Sequence, residues 1–405
     1  MPDGSLRRVI AAEEADAVVV GGGPAGATAA ERLAHAGRHV VMIDRDGRIK
    51  PCGGAIPPRL IEDFAIPTDL LCARATSARM IAPSDRAVDM PIENGFVGMV
   101  NREVFDEFLR ERAAKSGADR RRGAFLRIDR AEDGAPIVVY APDSAEEREV
   151  HIRAKVVVGA DGARSKVART VFGEAGETPC VFAYHEIVRA PDGHDEIYDP
   201  ERCDVYYQGR LSPDFYAWVF PHGETASIGV GSAHKGFSLR QAVRKLRGEL
   251  DIEDQSLVRR EGAPIPMKPL KRWHDAAGVI LAGDAAGVVA PSSGEGIYYA
   301  MRSADYAADA ALEFLDTGKP KALARARKRF MKDHGRVFFI LGMMQHFWYR
   351  NDRRREQFVS LCQDRDVQRM TWDAYMHKRL GRPEPAAHLR IFFKDLAHLF
   401  GLARA

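Results

Sequence analysis

Cys52 is a residue whose side chain could take part in chemistry, and it lies in an unusual loop. Cys52 lies in the stretch PCGGAIP at 51–57, where prolines flank the thiol and the glycines Gly53 and Gly54. Such a thiol can be a nucleophile, a metal ligand, half of a disulfide or a small buried apolar group. The five cysteines are scattered and form no C-x-x-C pair, so we predict neither a metal site nor a disulfide framework.

A glycine motif near the N-terminus has the spacing of a dinucleotide site. Gly21-x-Gly23-x-x-Gly26 follows the apolar run DAVVV at 16–20, which suits a buried parallel strand. Gly21 permits a tight turn, and Gly23 lets a pyrophosphate approach the backbone. Gly26 lets the following helix pack closely on the strand, with the phosphate at the positive helix N-terminus. The motif alone could also be a simple glycine-rich turn.

A second apolar run strengthens the dinucleotide prediction. HVVMID at 39–44 ends in Asp44, which completes a β-α-β unit within about thirty residues. The Asp44 carboxylate would accept hydrogen bonds from ribose hydroxyls and would disfavour a 2′-phosphate. The predicted nucleotide is therefore FAD or NAD rather than NADP.

Two later motifs favour FAD. AKVVVGADGARSKVAR at 154–169 is an apolar strand that runs into a turn containing Asp161. Further on, a predicted strand at 278–282 leads to Gly283 and Asp284, and Gly294-Glu-Gly296 then opens a helix. A carboxylate at a strand end suits a polyol hydroxyl, and the positive end of a helix suits an electron-rich ring edge.

With these motifs the sequence resembles glutathione-reductase-type flavoproteins of the para-hydroxybenzoate hydroxylase class. The resemblance implies that the first motif holds the ADP of FAD, that Asp284 binds the ribityl chain, and that the helix after Gly296 faces the isoalloxazine. It also implies that Arg102, at the start of an amphipathic helix, approaches the cofactor. The further residues that we predict to contact FAD are Pro24, Ala25, Arg45, Cys52, Gly53, Gly54, Ala55, Asp161, Gly283, Gly294 and Ile297.

The fold class that follows is α/β, a Rossmann FAD domain with an inserted antiparallel β-sheet substrate domain and a C-terminal helical region. The segments from 180 to 232 alternate in the way of short antiparallel strands. The predicted boundaries are 14–75, 100–175 and 265–320 for the FAD domain, 76–99 and 176–264 for the substrate domain, and 321–405 for the helical region.

An aromatic stripe in the predicted sheet could form a substrate wall. Alternation in YAWVFP places Tyr216, Trp218 and Phe220 on one face of a strand. Such a stripe is often ordinary core, but the polar tips of Tyr216 and Trp218 suit the wall of an amphipathic cavity.

FYAWVFP, together with GVG at 229–231, resembles the Y-x-W-x-F-P signature of the geranylgeranyl reductase family. KPCGGAIP, SGEGIYYAM and the segments at 347–380 and 388–402 resemble other parts of this family, especially its bacterial members, so the resemblance runs from about residue 16 to the end. It places Cys52 beside the isoalloxazine, where a side chain at Gly53 or Gly54 would collide with flavin or substrate. Cys52 would then either shape the channel or help to protonate the alkene or tune the flavin; both interpretations stay open.

The resemblance implies an FAD-dependent reductase that converts geranylgeranyl to phytyl by hydrogenating three isolated double bonds. The expected substrate is geranylgeranyl-bacteriochlorophyll, with free geranylgeranyl diphosphate or another polyprenyl lipid as an alternative. We assign catalytic roles to Cys52, Tyr216 and Trp218. The expected reductant is NADPH, although no second G-x-G-x-x-G follows a strand, and a ferredoxin is the alternative. An aromatic monooxygenase and a pigment carrier are the competing functions.

Charge and hydropathy bear on location. The net charge of +3 does not indicate a nucleic-acid partner, and from the sequence we predict neither a signal peptide nor a transmembrane helix. Residues 319–355 carry twelve Lys or Arg and two Asp, and they contain the apolar segment VFFILGMMQHFWY at 337–349. We expect peripheral contact on the cytoplasmic side of the photosynthetic membrane; a buried helix with a solvated basic face is the simpler alternative.

Overall fold

The computed structural model describes residues 13–45, 51–93, 95–143, 149–191, 197–252 and 256–378. The predictions for the chain before residue 13 and after residue 378 therefore lie outside the described residues. The described residues contain three sheets, and helices pack around them.

The first sheet carries the glycine motifs. Its strands are β1 (Glu13–Val20), β2 (Val40–Asp44), β8 (Asp119–Arg130), β9 (Pro136–Pro142), β10 (Val150–Gly159) and β16 (Val279–Leu281). The parallel core has the order β8-β2-β1-β10-β16, and β9 pairs antiparallel with β8 and β10. Helices pack against β1 and β2, and residues 17–20 and 40–43 of these strands are apolar and almost fully buried.

A small second sheet and several helices lie beside the first sheet. The second sheet contains β3 (Ala55–Ile56), β4 (Leu71–Ala75) and β7 (Val97–Val100) in the order β3-β7-β4. The helices of this half of the molecule are α1 (Pro24–His35), α2 (Pro58–Asp63), α3 (Arg102–Lys115), α4 (Lys166–Phe172) and α6 (Ile297–Thr317). α1 packs between α3 and α6, because its small side chains allow close approach.

The third sheet lies between the second and third glycine motifs in sequence. Its strands are β5 (Ser77–Ile81), β6 (Ala87–Pro91), β11 (Cys180–Arg189), β12 (Arg202–Tyr206), β13 (Ala217–His222), β14 (Thr225–Ser232) and β15 (Leu257–Pro266). The order is β15-β11-β14-β13-β12-β5-β6, antiparallel except for the β12–β5 pair. One face packs against α5 (Leu239–Glu249), and the opposite face carries the aromatic side chains.

Helices of the C-terminal region cover this aromatic face. They are α7 (Ala324–Trp348), α8 (Asp352–Leu361) and α9 (Arg365–His377). Trp348, Phe358 and Trp372 from these helices join the cluster that contains Trp218. None of the helices in the described ranges combines the length and the hydropathy needed to cross a bilayer. The predicted α/β class with an inserted antiparallel sheet and C-terminal helices is confirmed.

Candidate functional site

Strand register brings the three glycine motifs to one edge of the first sheet. Val20 pairs with Gly159, and Gly159 pairs with Leu281, so three parallel strands end side by side. A Cβ on Gly21 would lie 2.4 Å from the Ala160 carbonyl oxygen, and one on Gly283 would lie 2.7 Å from Cβ of Ala25. The motifs are therefore neighbours, as a single extended cofactor requires.

The first motif has the geometry of a phosphate cradle. A Cβ on Gly26 would stand only 1.7 Å from the Gly21 carbonyl oxygen, so close packing of strand and helix requires glycine there. A Cβ on Gly23 would meet nothing within 4 Å, which leaves an open approach at the N-terminus of α1. These residues fit the pyrophosphate of FAD.

Asp44 ends β2, and its carboxylate lies beside Gly22 of the first motif. Burial raises the pKa of its carboxyl, while backbone N–H groups of Gly22 and Arg45 and the charge of Arg110 oppose the shift. The Arg110 guanidinium is 3.6 Å from the carboxylate and donates to the Gly22 carbonyl oxygen at 3.3 Å. Arg45 itself is exposed at the end of β2. The ribose and nucleotide contacts of Asp44 and Arg45 stay predictions.

The third motif forms the other half of the candidate cofactor site. Pro24 and Ala25 are buried in the first turn of α1, and Ala25 faces Gly283. Asp284 is buried beside Gly296, whose Cβ position lies 3.9 Å from the Asp284 carboxylate. Ile297 begins α6 and is buried. The predicted ribityl and ring contacts would fall on this turn.

Asp161 has a role inside the protein. Its carboxylate accepts from the Ser165 hydroxyl at 2.5 Å and from the backbone N–H groups of Lys166 and Val167 at 2.7 and 3.1 Å. These bonds satisfy free donors at the start of α4. Burial raises the pKa of the carboxyl, and the same hydrogen bonds oppose that shift. The structure thus accounts for an aspartate at this position, and contact with FAD stays a prediction.

The Cys52 loop adjoins a buried ion pair. The backbone N–H of Gly54 donates to the Cys52 Sγ at 3.4 Å, and Arg102 binds Asp106 through two contacts of 2.8 and 2.7 Å. Burial disfavours the charged guanidinium, but Asp106 and Cys52 outweigh it and hold the pKa of Arg102 above its ordinary value. Arg102 is therefore a fixed cation beside the thiol.

The two glycines of this loop make room for protein atoms. A Cβ on Gly53 would lie 3.1 Å from the Phe220 ring, and one on Gly54 would lie 2.6 Å from the Val100 carbonyl oxygen. Gly54 also has φ +71°, a left-handed conformation that favours glycine. The need for glycine at position 54 thus already follows from the protein, whereas a Cβ at position 53 would require only a small shift of the Phe220 ring. Contact of Gly53, Gly54 and Ala55 with the flavin stays a prediction.

The aromatic stripe is continuous and reaches the third motif. The ring centroids of Tyr216 and Trp218 are 6.0 Å apart, and those of Trp218 and Phe220 are 6.1 Å apart. The Tyr216 hydroxyl donates to the Ser293 carbonyl oxygen at 2.6 Å, and Gly294 approaches the same hydroxyl. The predicted common face is therefore present. The structure brings the stripe together with the Cys52 loop and the glycines that open α6.

Two polar groups in this region escaped the sequence reasoning. Trp218, Ser227, His185 and Glu261 form a hydrogen-bonded chain across four strands. The last described residue, Lys378, makes a buried ion pair with Glu295, between the two glycines that open α6. Residues far apart in sequence form both groups, so no local spacing revealed them. Asp106 was also missed, although its position four residues after Arg102 on a helix is a readable signal.

Sequence comparisons match the chain to two domain families and to named relatives. Residues 71–331 match the FAD binding domain family, and residues 19–62 match an NAD(P)-binding Rossmann-like domain. The chain is 57% identical over 387 residues to a geranylgeranyl diphosphate reductase of Rhodobacter capsulatus, covering 96% of this chain and 98% of the relative. It is 36% identical to the chloroplastic geranylgeranyl diphosphate reductase of Arabidopsis thaliana, covering 94% and 84% of the two chains.

Solved structures show the same fold. A geranylgeranyl bacteriochlorophyll reductase-like protein from Thermoplasma acidophilum superposes with a TM-score of 0.80 at 22% identity, covering 94% of this chain and 99% of the other. A p-nitrophenol 4-monooxygenase from Pseudomonas putida gives a TM-score of 0.66 at 18% identity, covering 88% and 96%. Both similarities concern the fold alone. From the sequence matches, the chain belongs to the geranylgeranyl diphosphate reductase family and contains an FAD-binding domain.

Proposed function

We propose that this protein is an FAD-dependent reductase that hydrogenates three isolated double bonds of a geranylgeranyl chain to give phytyl. The observation that carries the proposal is the aromatic stripe of Tyr216, Trp218 and Phe220, which touches both the Cys52 loop and the glycine turn before α6. An apolar wall beside a flavin site suits an apolar chain. The 57% identity to the R. capsulatus enzyme supports the reaction class.

Residues of the protein would bind and orient the substrate. Bound FAD supplies hydride chemistry once it is reduced. An isolated alkene has no carbonyl to polarise, so the protein must place the double bond and exclude water. Tyr216 and Trp218 are each less than a tenth exposed and would contribute the wall. Arg102, held by Asp106, would fix the Cys52 loop against the cofactor.

The preferred substrate is geranylgeranyl-bacteriochlorophyll, because the C-terminal sequence resembles the bacterial members of the family. Purified enzyme whose FAD is kept reduced by excess dithionite is incubated anaerobically with this pigment and, separately, with geranylgeranyl diphosphate. We expect mass gains of two hydrogens per double bond, up to three bonds, on the pigment. Gains on the diphosphate alone would reassign the substrate. Products that contain added oxygen under air, with none formed anaerobically, would indicate a monooxygenase instead.

We propose that Cys52 either takes part in the reaction or only shapes the substrate channel, and one substitution distinguishes these roles. Cys52→Ala with FAD retained removes a proton source but leaves a small apolar side chain. Participation predicts a loss of turnover of at least about a hundredfold, the range of general acid catalysis. Unchanged turnover would make Cys52 a packing group. Cys72→Ala is a matched control, since Cys72 is also half-buried and donates to the Met99 carbonyl oxygen instead.

NADPH is the proposed electron donor. Anaerobic mixing of the holoenzyme with NADPH in a stopped-flow instrument should bleach the flavin absorbance. The same mixture with a reduced ferredoxin serves as the comparison. Bleaching by the ferredoxin alone would replace NADPH with a protein donor.

Peripheral attachment to the cytoplasmic side of the photosynthetic membrane is proposed from α7. Phe339 and Met343 are 66% and 54% exposed, one helical turn apart, and exposed Lys332, Arg336 and Arg350 flank them. Other cations of the region are used inside the protein, since Arg355 is buried and donates to backbone carbonyl oxygens.

Liposome pelleting tests this attachment. We expect binding to anionic vesicles at low salt, weaker binding at high salt, and a large loss in Phe339→Ser/Met343→Ser. Val104→Ser/Val258→Ser is a control pair of exposed apolar residues elsewhere on the surface. No binding at any ionic strength would remove the proposal.

A further inference from the structure

The indole of Trp218 is confined on several sides. Its Nε1–H donates to the Ser227 hydroxyl at 3.2 Å, and the rings of Tyr216 and Phe220 flank it. On the adjacent strand, a Cβ at Gly229 would lie 2.1 Å from the indole Cζ2, so the ring lies directly against the backbone there. The indole therefore has little freedom to rotate.

The hydrogen bond to the indole is the first link of a longer chain. Ser227 Oγ is 2.9 Å from His185 Nδ1, and His185 Nε2 is 2.9 Å from the Glu261 carboxylate. Donation can run in one direction, from Trp218 to Ser227, then to His185 and finally to Glu261. In that arrangement every hydrogen of the chain is used once.

The hydrogen-bonded chain from Trp218 to Glu261 is buried. Burying its polar groups costs free energy that an apolar contact with the indole would not require. Ser227 is fully buried, His185 is 2% exposed, and the Glu261 side chain is 9% exposed. Burial opposes ionisation of Glu261, but His185 and Arg259 outweigh it and lower the pKa of that carboxyl. A phenylalanine in place of Trp218 would pack without any of these polar partners.

Ion pairs extend this hydrogen-bonded chain to α3, the helix beside the Cys52 loop. Arg259 forms an ion pair with Glu261 and a second one, of 3.1 Å, with Glu103 in the first turn of α3. The neighbouring residue in that turn is Arg102, which contacts Cys52. Polar contacts thus link the Trp218 indole to α3, the helix that begins with Arg102, the neighbour of Cys52.

We propose that Ser227, His185 and Glu261 are positioning residues that fix the Trp218 indole and thereby determine how the polyprenyl chain is held for successive reductions. This inference rests on the proposed function, because the indole orientation matters to catalysis only if the substrate lies against it. The three residues act through Trp218 and do not themselves touch the reacting atoms.

The test uses the FAD-loaded enzyme and the variant Ser227→Ala. The matched control is Ser232→Ala, a buried serine on the same strand whose hydroxyl bonds Asp214. Near-ultraviolet circular dichroism is measured without substrate, and Trp218→Phe defines the signal of the fixed indole. We expect Ser227→Ala to lose most of that signal and Ser232→Ala to keep it. His185→Leu should match Ser227→Ala, whereas His185→Gln, which can still bond Ser227, should restore part of the signal.

The kinetic readout uses whichever of geranylgeranyl-bacteriochlorophyll and geranylgeranyl diphosphate the wild-type enzyme reduces. In Ser227→Ala we expect KM to rise about fivefold, the factor of one lost hydrogen bond, and kcat to change less than twofold. Products with one or two reduced bonds should accumulate. An unchanged dichroism signal, or a changed signal with unchanged KM and products, would overturn the inference. If the indole signal changes but wild-type enzyme reduces no double bond, the proposed function fails and the confinement of Trp218 stands.

Discussion

At the scale of single residues, glycine positions determine which side chains can approach one another. Gly229 and Gly231 were noted in the sequence only as part of a family signature, and the structure gives each a physical reason. Cβ atoms there would lie 2.1 Å from the Trp218 ring and 2.6 Å from the Phe215 ring. Two glycines on one strand thus make room for two of the rings in the aromatic cluster.

Gly229→Ala tests this reason. The added methyl must displace either the indole or the His185 Cβ, which would lie 2.6 Å away, so we expect a loss of about 1–3 kcal/mol in the free energy of unfolding. Urea denaturation measures it. Gly262→Ala is the control, because its nearest neighbour would be the Ala183 carbonyl oxygen at 3.2 Å. Equal stability of Gly229→Ala and wild type would show that the indole has other space to occupy.

At the scale of elements, the β-α-β unit was predictable because its signals are local. The apolar strand, the spacing of Gly21 and Gly26 and the terminal Asp44 all lie within one short segment. The polar chain below Trp218 was not predictable, because 42 residues separate His185 from Ser227 and only the register of β11 with β14 joins them. Glu261 reaches the chain in the same way, through β15.

Gly23 and Gly26 of the β-α-β unit should respond differently to substitution by alanine. Gly26→Ala places a methyl 1.7 Å from a backbone oxygen, so we expect it to prevent stable folding of the unit. Gly23→Ala meets no protein atom and should leave the melting temperature of the apoprotein within a few degrees of wild type. Its methyl would stand where the pyrophosphate approaches, so FAD affinity should fall at least tenfold by fluorescence titration. Normal FAD binding by Gly23→Ala would argue against this cradle.

The contact between α9 and α6 is a second element-scale feature. Lys378 pairs with Glu295, and its ammonium lies 4.5 Å from the Tyr375 ring centroid. Lys378→Met would leave a buried carboxylate without its cation, which typically costs about 3–5 kcal/mol. Release of α9 would relieve that cost, so we expect faster amide hydrogen exchange in residues 365–377. Exposed Lys332→Met is the control, and unchanged exchange in both variants would contradict the role of the pair.

At the scale of the whole molecule, buried histidines couple stability to pH. Burial lowers the pKa of His222, at the end of β13, and of His334, on α7, to about 4 in each case. His222 donates from Nδ1 to the Phe220 carbonyl oxygen at 3.3 Å, and it faces His185, Arg259 and Glu261. His334 lies among the rings of Tyr298, Tyr299 and Phe330. The charged groups near it are Asp333, Arg302 and Lys378. Neither ring nitrogen of His334 has a hydrogen-bond partner among the described residues.

The sign of the pH effect follows from these lowered values. Between about pH 6.5 and pH 4 the unfolded chain takes up a proton at each histidine while the folded protein does not, so folding stability falls as pH falls. At pH 5 each group should have lost on the order of 2 kcal/mol relative to neutral pH. His334→Leu removes one of the two, so its loss of unfolding free energy between pH 7 and pH 5 should be smaller than that of wild type by about that amount. Phe339→Leu, at an exposed position on the same helix, changes no titratable group and should keep the wild-type dependence. An equal pH dependence in wild type and His334→Leu would mean that His334 accepts its proton without unfolding, which the burial of its ring opposes.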